Sequence, residues 1–418
     1  MKAKQKSMPK IFQRTLASTL EKTSKTFPAL LITGPRQVGK TTLLKEISSD
    51  KRNYVSLDNL QNRELARTDP HLFFQIHKPP VLIDEAQYAP ELFTEIKIIS
   101  DQTRKNGLFW LTGSQKFHLM KNVSESLAGR IAILDLLGFS NAEISDKATN
   151  SKPFIPSANW LKNNSKQIPK PKNVSDIYTR IWKGSFPALF KDSKLSHEIF
   201  YGSYLQTYLE RDVRDILNVS NESSFLRFLQ ATAARSAQLL NWSDLARDCD
   251  ISIKTAQSWL SILRTSGLVY LLEPYHTNRS KRLTKTPKLY FLDTGLCAYL
   301  TKWPNSTALE AGMLSGAMFE SWVFSEILKT YWHNGKKEWF SFYRDKNGAE
   351  IDLLIEQNGK LHPIEIKKTA NPNISMLRNF AALESSIGKP LGHGALICLV
   401  PEATALTAKI DAIPAGCI

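Results

Sequence analysis

A glycine-rich segment early in the chain has the residues that a phosphate-binding loop needs. It follows the apolar run Ala29–Thr33 and reads GPRQVGKTT, which is the complete GxxxxGK[ST] pattern between a buried-strand run and a helix. Backbone N–H groups of such a loop close around a β-phosphate, and the next helix presents its positive N-terminus. Lys40 can reach the β- and γ-phosphates, and Thr41 can place its hydroxyl on Mg²⁺. The predicted nucleotide-binding residues are Gly34, Pro35, Arg36, Gln37, Val38, Gly39, Lys40, Thr41 and Thr42.

Two acidic residues follow the apolar run Val81–Ile83 and supply a second set of groups for phosphate chemistry. Asp84 can hold Mg²⁺ through water, and Glu85 can orient or activate the water that attacks a γ-phosphate. Acid pairs at strand ends also occur in solvated turns. This pair, however, begins 43 residues after Thr41 at the end of another strand-like run, which favours the catalytic interpretation. A hydrolytic acid beside a Mg²⁺ ligand predicts ATP turnover and not only nucleotide sensing.

A third apolar run, Leu108–Thr112, continues into Gly-Ser-Gln. Ser114, or alternatively Thr112, is predicted to contact the γ-phosphate from between the two motifs. Farther along, Arg130 stands at the start of another run and could be an arginine finger that stabilises the transferred charge. An arginine that solvates the start of a strand accounts for the same sequence equally well. The sequence also leaves open whether such a finger would act within one subunit or between two.

Strands and helices must alternate for these groups to meet. Residues 28–139 alternate short apolar runs with amphipathic stretches, and this alternation predicts parallel βαβ architecture. The runs are Ala29–Thr33, Asn53–Leu57, Val81–Ile83, Leu108–Thr112 and Arg130–Leu136. Residues 141–175 then lose periodicity and are rich in Ser, Asn, Lys and Pro, which predicts a linker or a surface excursion.

The composition limits the class of protein. The 418 residues are 42% hydrophobic and 22% charged, which excludes a disordered or collagen-like chain. No apolar run reaches the length of about 18 residues that a spanning helix needs, and the basic N-terminus lacks a secretory apolar core. Four dispersed cysteines without a CxxC pair fit a reducing compartment. We therefore expect a cytoplasmic protein without a membrane partner, and the net charge of +16 favours polyanions such as nucleic acid.

With these motifs the chain resembles a bacterial and archaeal family of AAA-type ATPases. In that family a P-loop domain is followed by a winged helix and a PD-(D/E)xK-nuclease-like domain. The N-terminal stretches that carry the resemblance are GPRQVGKTTLL, VLIDEAQ, LTGSQ and SLAGRIAIL, and later ones include KTPKLYFLDTGL and HPIEIKKT. The resemblance covers most of the chain in order, although the stretch 141–175 is longer and more polar than the usual link. It implies an ATPase.

The resemblance and the patterns together predict an α/β protein with five parts. These are an AAA-type P-loop NTPase domain at 1–140, a polar linker at 141–175, a helical connector at 176–225, a winged-helix domain at 226–295 and an α/β PD-(D/E)xK nuclease-like domain at 296–418.

The segment 239–275 reads as helix, turn, helix and strand, in agreement with a winged helix. The apolar face of its second helix comprises Ile253, Ala256, Leu260 and Leu263. Polar residues including Lys254 face outward, and a helix of this form can enter a major groove. The following wing carries a basic run suited to phosphates, formed by Arg279, Lys281, Arg282, Lys285 and Lys288. We assign DNA contacts to Lys254, Arg279, Lys281 and Arg282. A module that only packs beside the P-loop domain is the alternative.

Two alternating segments near the C-terminus predict a β-hairpin. Glu350–Glu356 and Leu361–Lys367 both alternate like half-buried strands, and Asn358-Gly359 between them is a strong two-residue turn signal. The hairpin would bring polar residues of both strands to the open end of a sheet.

Four side chains are predicted to converge at this hairpin. Asp352, Glu365 and Lys367 match the D…ExK arrangement of metal-dependent nucleases, and Glu320 on the preceding helix adds a fourth group. Asp352, Glu365 and Glu320 would bind Mg²⁺, or Mn²⁺, and Lys367 would position or activate a water. A Glu-x-Lys sequence alone is common, so an edge that only binds DNA or the ATPase domain is the alternative.

Two functions agree with these features. The first is a Mg²⁺-dependent ATPase that couples its nucleotide state to DNA binding or processing through the winged helix and the nuclease-like domain. The second is an ATP-dependent regulatory switch whose nuclease-like domain binds a protein and does not cleave. A motor, in which subunits of a homo-oligomer supply an arginine to one another, is a third. ATP is the expected partner in every case, and DNA in the first.

Overall fold

A computed structural model of the chain describes most of the sequence. The described residues are 12–48, 52–113, 126–157, 160, 173–209, 222–275, 286–345 and 348–418. They form a five-stranded sheet, a six-stranded sheet and a smaller three-stranded sheet, each with packed helices. Within these ranges, every helix is too short or too polar to span a bilayer.

The N-terminal sheet is parallel throughout. Its strands are β1 (Ala29–Thr33), β2 (Asn53–Ser56), β3 (Val81–Asp84), β4 (Phe109–Thr112) and β5 (Ile131–Asp135). Their spatial order is β2-β3-β4-β1-β5. Each apolar run predicted from the sequence forms one strand, with bounds that differ by at most one residue at either end. The P-loop NTPase-like α/β fold expected for this part of the chain is confirmed.

Helices cover both faces of this sheet. They are α1 (Leu16–Ser24), α2 (Lys40–Ser48), α3 (Leu60–Thr68), α4 (Pro70–Ile76) and α5 (Leu92–Thr103). Leu30 and Ile32 of β1 belong to the core that contains α1 and α2, whereas Ala29 and Leu31 belong to the core that contains α3, α4 and α5. Burial on both faces explains why the strands are continuous apolar runs and do not alternate.

The segment 141–157 is packed, so the polar linker predicted for 141–175 is wrong over its first half. Ser140 caps the short helix α6 (Asn141–Ile144) by accepting a hydrogen bond from the Glu143 N–H. Phe154 is fully buried, and its N–H donates to Thr330 Oγ1 at 2.9 Å. The polar composition suggested a solvated surface, but these groups satisfy one another and buried backbone. The rest of the predicted linker, apart from residues 160 and 173–175, lies outside the described residues.

The middle of the chain is mainly helical. Its helices are α7 (Val174–Lys183), α8 (Pro187–Lys191), α9 (His197–Tyr208), α10 (Glu222–Ala234), α11 (Trp242–Asp248) and α12 (Ile253–Thr265). Three antiparallel strands accompany them in the spatial order β6-β8-β7, namely β6 (Gln238–Leu239), β7 (Val269–Leu272) and β8 (Lys288–Phe291). Helix α12 buries Trp259 and Ile262, whereas Ile253, predicted on its apolar face, is exposed.

The C-terminal region contains the mixed six-stranded sheet. Its strands are β9 (Phe340–Arg344), β10 (Glu350–Gln357), β11 (Lys360–Ile366), β12 (Gly394–Cys398), β13 (Thr404–Thr407) and β14 (Ile410–Pro414). Their order is β13-β14-β12-β11-β10-β9. The helices of this region are α13 (Thr294–Leu300), α14 (Ser306–Ala311), α15 (Ser315–Trp332) and α16 (Arg378–Ile387). The predicted hairpin is confirmed: β10 and β11 pair antiparallel across Asn358 and Gly359, both of which have positive φ.

Helix α15 is buried along most of its length and contacts all three regions of the chain. Its Ser321 hydroxyl lies 2.7 Å from the hydroxyl of Ser236 in the middle region. Glu326 accepts a hydrogen bond from the Asn141 N–H at 2.8 Å, and Lys329 donates to the Phe139 carbonyl at 3.1 Å. Polar groups of the helix therefore satisfy backbone groups of the segment that follows β5.

Candidate functional site

The glycine-rich loop follows β1 and is held in place from two sides. Gly34 has φ of +140°, and a Cβ at this position would lie 2.0 Å from the carbonyl oxygen of Leu136. Only glycine can therefore begin the loop without moving the backbone. Arg14 is buried and donates to the carbonyls of Val38 in the loop and Leu137 after β5, each at 2.7 Å. These contacts hold the loop next to the N-terminus of α2.

Lys40 opens α2 and lies across the loop. Its ammonium donates to the carbonyl oxygens of Gly34 at 2.9 Å and Pro35 at 2.8 Å. An ammonium with three donors in this position can exchange such bonds for phosphate oxygens when a nucleotide enters.

Asp84 ends β3 within hydrogen-bonding distance of Thr41, as the two motifs predict. The Thr41 hydroxyl donates to Asp84 Oδ1 at 2.7 Å. Thr112, at the end of the intervening strand β4, also donates to Oδ1, and the Tyr54 hydroxyl donates to Oδ2 at 3.1 Å. Burial and the Asp84 charge raise the pKa of Tyr54 to about 12, so Tyr54 stays a donor. Three uncharged hydroxyls therefore orient the Asp84 carboxylate.

Glu85 comes next and has a left-handed backbone, with φ of 58°. A non-glycine residue in this region is uncommon and points to a local constraint. The Glu85 N–H donates to Thr112 Oγ1 at 3.2 Å, and Glu85 Oε2 accepts from the Gln87 amide. Thr112 thereby contacts both acids and lies between the two motifs, as the sequence predicts for this strand end. Ser114, the other candidate there, lies outside the described residues.

Two neighbouring cavities meet at the loop. The first, here called the phosphate cavity, has a volume of about 720 Å³. It is lined by Arg36, Gln37, Gly39, Lys40, Thr41, Thr42, Glu85, Pro187, Ala188, Lys191 and Thr207. Residues of α8 and α9 in the middle region thus complete a cavity whose floor is the loop. The structure brings Lys40, Thr41 and Glu85 to the same cavity.

The second cavity, here called the apolar cavity, has a volume of about 400 Å³. It is lined by Phe12, Arg14, Gly39, Thr42, Leu43, Lys45, Glu46, Phe139, Pro187 and Lys191. The Phe12 and Phe139 rings lie 4.9 Å apart, and the Arg14 guanidinium lies 4.9 Å from the Phe139 centroid. This cavity could not be predicted from the sequence, because its aromatic residues are 127 positions apart and belong to no motif.

Arg130 does not lie near the loop of its own chain. Its carbonyl accepts a hydrogen bond from the Ala29 N–H at the amino end of β1, whereas the loop follows the carboxyl end. A five-residue strand separates the two edges by about 16 Å. The exposed guanidinium makes two hydrogen bonds to Asp101, at 2.6 and 3.0 Å. Of the two possibilities that the sequence leaves open for an Arg130 finger, this position disfavours action on the nucleotide of the same subunit and leaves action on a neighbouring subunit as a prediction.

The acid and lysine side chains predicted near the C-terminus do converge, but around a second lysine. Lys288 was predicted to contact phosphates in a wing, and this is wrong: it is only 3% exposed. Its ammonium lies 2.7 Å from Glu320 Oε1, 2.8 Å from Glu350 Oε1 and 3.2 Å from Asp352 Oδ1. We call Lys288, Glu320, Glu350, Asp352, Glu365 and Lys367 the acid–lysine cluster.

Lys367 closes the other side of this cluster. Its ammonium lies 2.7 Å from Glu365 Oε1 and 3.5 Å from Asp352 Oδ2, and the Ile366 N–H donates to Asp352 Oδ2 at 2.9 Å. Burial and the neighbouring Asp352 raise the pKa of Glu320 to about 7 and that of Glu365 to about 8. The buried oxygen Glu365 Oε2 has no hydrogen-bond partner among the described residues.

The predicted metal set therefore needs correction in one respect. Glu320, Asp352 and Glu365 lie together, but an ammonium occupies the space between Glu320 and Asp352. Across the described ranges, no group of three or more His, Cys, Asp or Glu side chains is arranged to hold a metal ion. Of the predicted DNA contacts, Lys254 is exposed at the start of α12. Arg279, Lys281 and Arg282, together with Lys285, lie outside the part of the chain that is described.

Comparison with protein families divides the chain into three matched segments. Residues 26–145 match the model described as an AAA domain. Residues 174–307 and 315–418 match two models described as domains of unknown function, DUF8612 and DUF4143. The fold, the loop and the first match define residues 26–145 as a P-loop domain of the AAA type.

Relatives match over nearly the whole chain. Uncharacterized proteins of Mycobacterium tuberculosis and Mycobacterium bovis are each 28% identical to it over 388 residues, which is 91% of this chain and 79% of theirs. Among solved structures, the Walker-type ATPase of Pyrococcus abyssi is 17% identical with a TM-score of 0.44, covering 69% of this chain and 96% of that one. The RuvB Holliday junction branch migration motor of Thermotoga maritima is 14% identical with a TM-score of 0.29, covering 62% and 89%.

Proposed function

We propose that this protein binds Mg²⁺·ATP at the glycine-rich loop and hydrolyses it. The observation that carries the proposal is the direct hydrogen bond of 2.7 Å between Thr41 and Asp84, with Glu85 in the same cavity as Lys40. These are the groups that hold the metal, the phosphates and the attacking water in P-loop ATPases. Their distant positions in the sequence make a chance meeting a poor explanation.

Each group has a chemical role. Lys40 exchanges its bonds to the Gly34 and Pro35 carbonyls for bonds to β- and γ-phosphate oxygens. Thr41 and Asp84 fit a Mg²⁺ ion, because a hydroxyl oxygen and a charged carboxylate are the hard ligands it prefers. The ion supplies charge neutralisation on the phosphates. Glu85 accepts a proton from the attacking water, and Gln87 keeps its carboxylate oriented.

The apolar cavity fits the base of the nucleotide. It adjoins the phosphate cavity, with which it shares Gly39, Thr42, Pro187 and Lys191. A purine would lie against the Phe12 and Phe139 rings, and the Arg14 guanidinium is within reach of its face. Aromatic and cationic walls of this kind favour a flat π system over an aliphatic ligand.

Two substitutions test the proposal against a matched control. Lys40→Ala is expected to lose ATP binding, whereas Glu85→Gln is expected to keep binding and to lose turnover by about 100-fold or more. Glu64→Gln changes an exposed glutamate of the same domain that lines neither cavity, and it should behave as wild type. Calorimetry measures binding and phosphate release measures turnover. Hydrolysis by Glu85→Gln at the wild-type rate would remove Glu85 from its proposed role.

We further propose that the nucleotide state is relayed to the rest of the chain. The middle region has the order helix, strand, helix, helix, strand, strand that a winged helix has. Gly267, just before β7, has φ of +73°, and a Cβ there would lie 3.1 Å from the Pro35 ring of the loop. Strand β7 in turn pairs with β8, which begins at Lys288. A shift of the loop on ATP binding would therefore be transmitted by contact to the acid–lysine cluster.

For the C-terminal region, two functions remain candidates. The order α15-β9-β10-β11-α16-β12 supports a PD-(D/E)xK nuclease-like domain. The ammonium of Lys288 among three carboxylates favours a regulatory domain that does not cleave DNA in this conformation. We therefore expect purified protein with Mg²⁺ or Mn²⁺ to leave single- and double-stranded DNA intact. Nicking that disappears in Asp352→Ala would instead support the nuclease.

DNA binding is a separate proposal that rests on charge. The net charge of +16 and the exposed Lys254 on α12 favour contact with phosphates. Such binding should weaken steeply as salt increases, because contacts to phosphates release counterions. Affinity for duplex DNA measured between about 50 and 200 mM salt distinguishes this function from that of a protein-binding switch. Weak, salt-independent binding at the lower salt would favour the switch.

A further inference from the structure

The ammonium of Lys288 is fully satisfied by carboxylates that come from a different part of the fold. It has three N–H donors, and three carboxylate oxygens lie within 2.7 to 3.2 Å of it. Glu320 belongs to α15, and Glu350 and Asp352 belong to β10, whereas Lys288 itself belongs to the three-stranded sheet. Two residues along the same strand, Tyr290 donates to Glu320 Oε1 at 2.7 Å. Strand β8 thus inserts a cation and a hydroxyl into an acidic site of the neighbouring sheet.

The oxygens around this ammonium are of the type that a divalent cation binds, although with Lys288 in place they are not arranged to hold a metal ion. Carboxylate oxygens from a helix and a strand converge on one buried point, which is the donor set that Mg²⁺ or Mn²⁺ takes. An ion at this point and the ammonium of Lys288 would repel each other and compete for the same oxygens. A second feature points to unused capacity for a cation: Glu365 is 4% exposed, and its Oε2 has no hydrogen-bond partner in the described structure.

We propose that Lys288 is the resident cation of the acid–lysine cluster and excludes divalent ions from it. Lys367 does not substitute for Lys288, because its ammonium pairs with Glu365 and lies 3.5 Å from the other oxygen of Asp352. The cluster becomes a divalent-ion site only when the Lys288 side chain is withdrawn or removed. Lys288 is then the residue that determines which cation the cluster holds. This inference does not depend on ATP hydrolysis, and its test uses nucleotide-free protein.

Removal of the ammonium is the direct test. Lys288→Met keeps an unbranched side chain of similar length without the charge, and Lys288→Gln keeps polarity without the charge. We expect both variants of the full chain to bind one Mn²⁺ at least about tenfold more tightly than wild type, as measured by calorimetry and by loss of the free-Mn²⁺ paramagnetic resonance signal. The gained site should disappear in Lys288→Met/Asp352→Asn. Lys389→Met, which removes the ammonium paired with Glu356 at 2.7 Å in the same region, should bind as wild type.

Two results would overturn the inference. One is wild-type protein that binds a Mn²⁺ ion which Asp352→Asn abolishes, because Lys288 would then not exclude the ion. The other is a folded Lys288 variant, verified by circular dichroism, that binds Mn²⁺ no better than wild type. If neither variant folds, the comparison of wild type with Asp352→Asn still decides. Loss of ATP binding has no bearing on these outcomes, so this inference and the proposed ATPase can fail separately.

Discussion

Two acidic sites in this molecule hold their carboxylates in opposite ways. Asp84 in the N-terminal sheet accepts hydrogen bonds from the hydroxyls of Thr41, Thr112 and Tyr54, which orient it without neutralising it. Asp352 in the C-terminal sheet lies between two ammoniums, those of Lys288 and Lys367. The donors to Asp84 in these contacts are all neutral, which leaves room for an external cation, whereas Asp352 is paired with two cations of the chain itself. The same residue type at a strand therefore serves binding in one site and internal pairing in the other.

The largest difference between the two sites is expected when each aspartate is replaced by asparagine in a separate variant. Asp84→Asn should lower ATP turnover by about 100-fold, because it removes the charge that holds Mg²⁺. It should change the free energy of unfolding by only about 1 kcal/mol, since the amide oxygen still accepts hydrogen bonds. Asp352→Asn should leave turnover in place but cost about 3 kcal/mol of stability, because Lys288 loses a buried partner. Turnover assays and urea unfolding check both, and equal destabilisation by the two substitutions would contradict the comparison.

A smaller effect is expected in the pH dependence of stability. The folded pKa values of Glu320 and Glu365 are raised to about 7 and about 8, above the ordinary glutamate value of 4.5. The unfolded chain releases these protons first, so the stabilising contribution is complete below pH 4.5 and is lost as pH rises towards 8. We expect the free energy of unfolding to fall across this interval and to fall less in Glu365→Gln. A slope that Glu365→Gln leaves unchanged would assign the titration to other groups.

The smallest effect is expected at Arg130. Its exposed pair with Asp101 contributes little to stability, and it lies at the sheet edge opposite the loop. Arg130→Ala in dilute, monomeric protein should leave turnover unchanged. If turnover falls while ATP still binds, and mixing with Lys40→Ala protein restores it, the arginine acts on a neighbouring subunit. Turnover measured over a range of protein concentrations separates these cases.

The sequence predicts the nucleotide site better than the acid–lysine cluster, because the residues of the nucleotide site lie in short motifs and those of the cluster are far apart in the chain. Most groups of the loop are consecutive, and Asp84 and Glu85 end an apolar strand, so strand order alone brings them together. Lys288 is 64 positions from Asp352 and starts a strand of another sheet. The residues around it in the sequence do not predict the direction of its side chain. Its position after a basic segment suggested phosphate contacts, whereas burial among acids decides its actual role.

Two other features were not predictable for related reasons. The apolar cavity combines Phe12 from the segment before α1 with Phe139 after β5, and neither position has a periodic neighbour that would reveal it. The stretch 141–157 has the composition of a linker but is packed, because Glu143 lies 3.1 Å from Arg14 and both are buried. Polar composition indicates solvent exposure only when the polar groups lack internal partners.

Helix α15 limits how the segments of this chain can be exchanged in evolution. Glu326 and Lys329 of this helix, and His333 directly after it, hydrogen-bond to the backbone of residues 137–141, which lie in the segment that matches the AAA model. Separating these partners would leave a carboxylate, an ammonium and several peptide groups buried without hydrogen-bond partners. The three matched segments are thus not independent modules. A recombination event that replaced one of them would have to restore these buried hydrogen bonds, so the segments are expected to be inherited together.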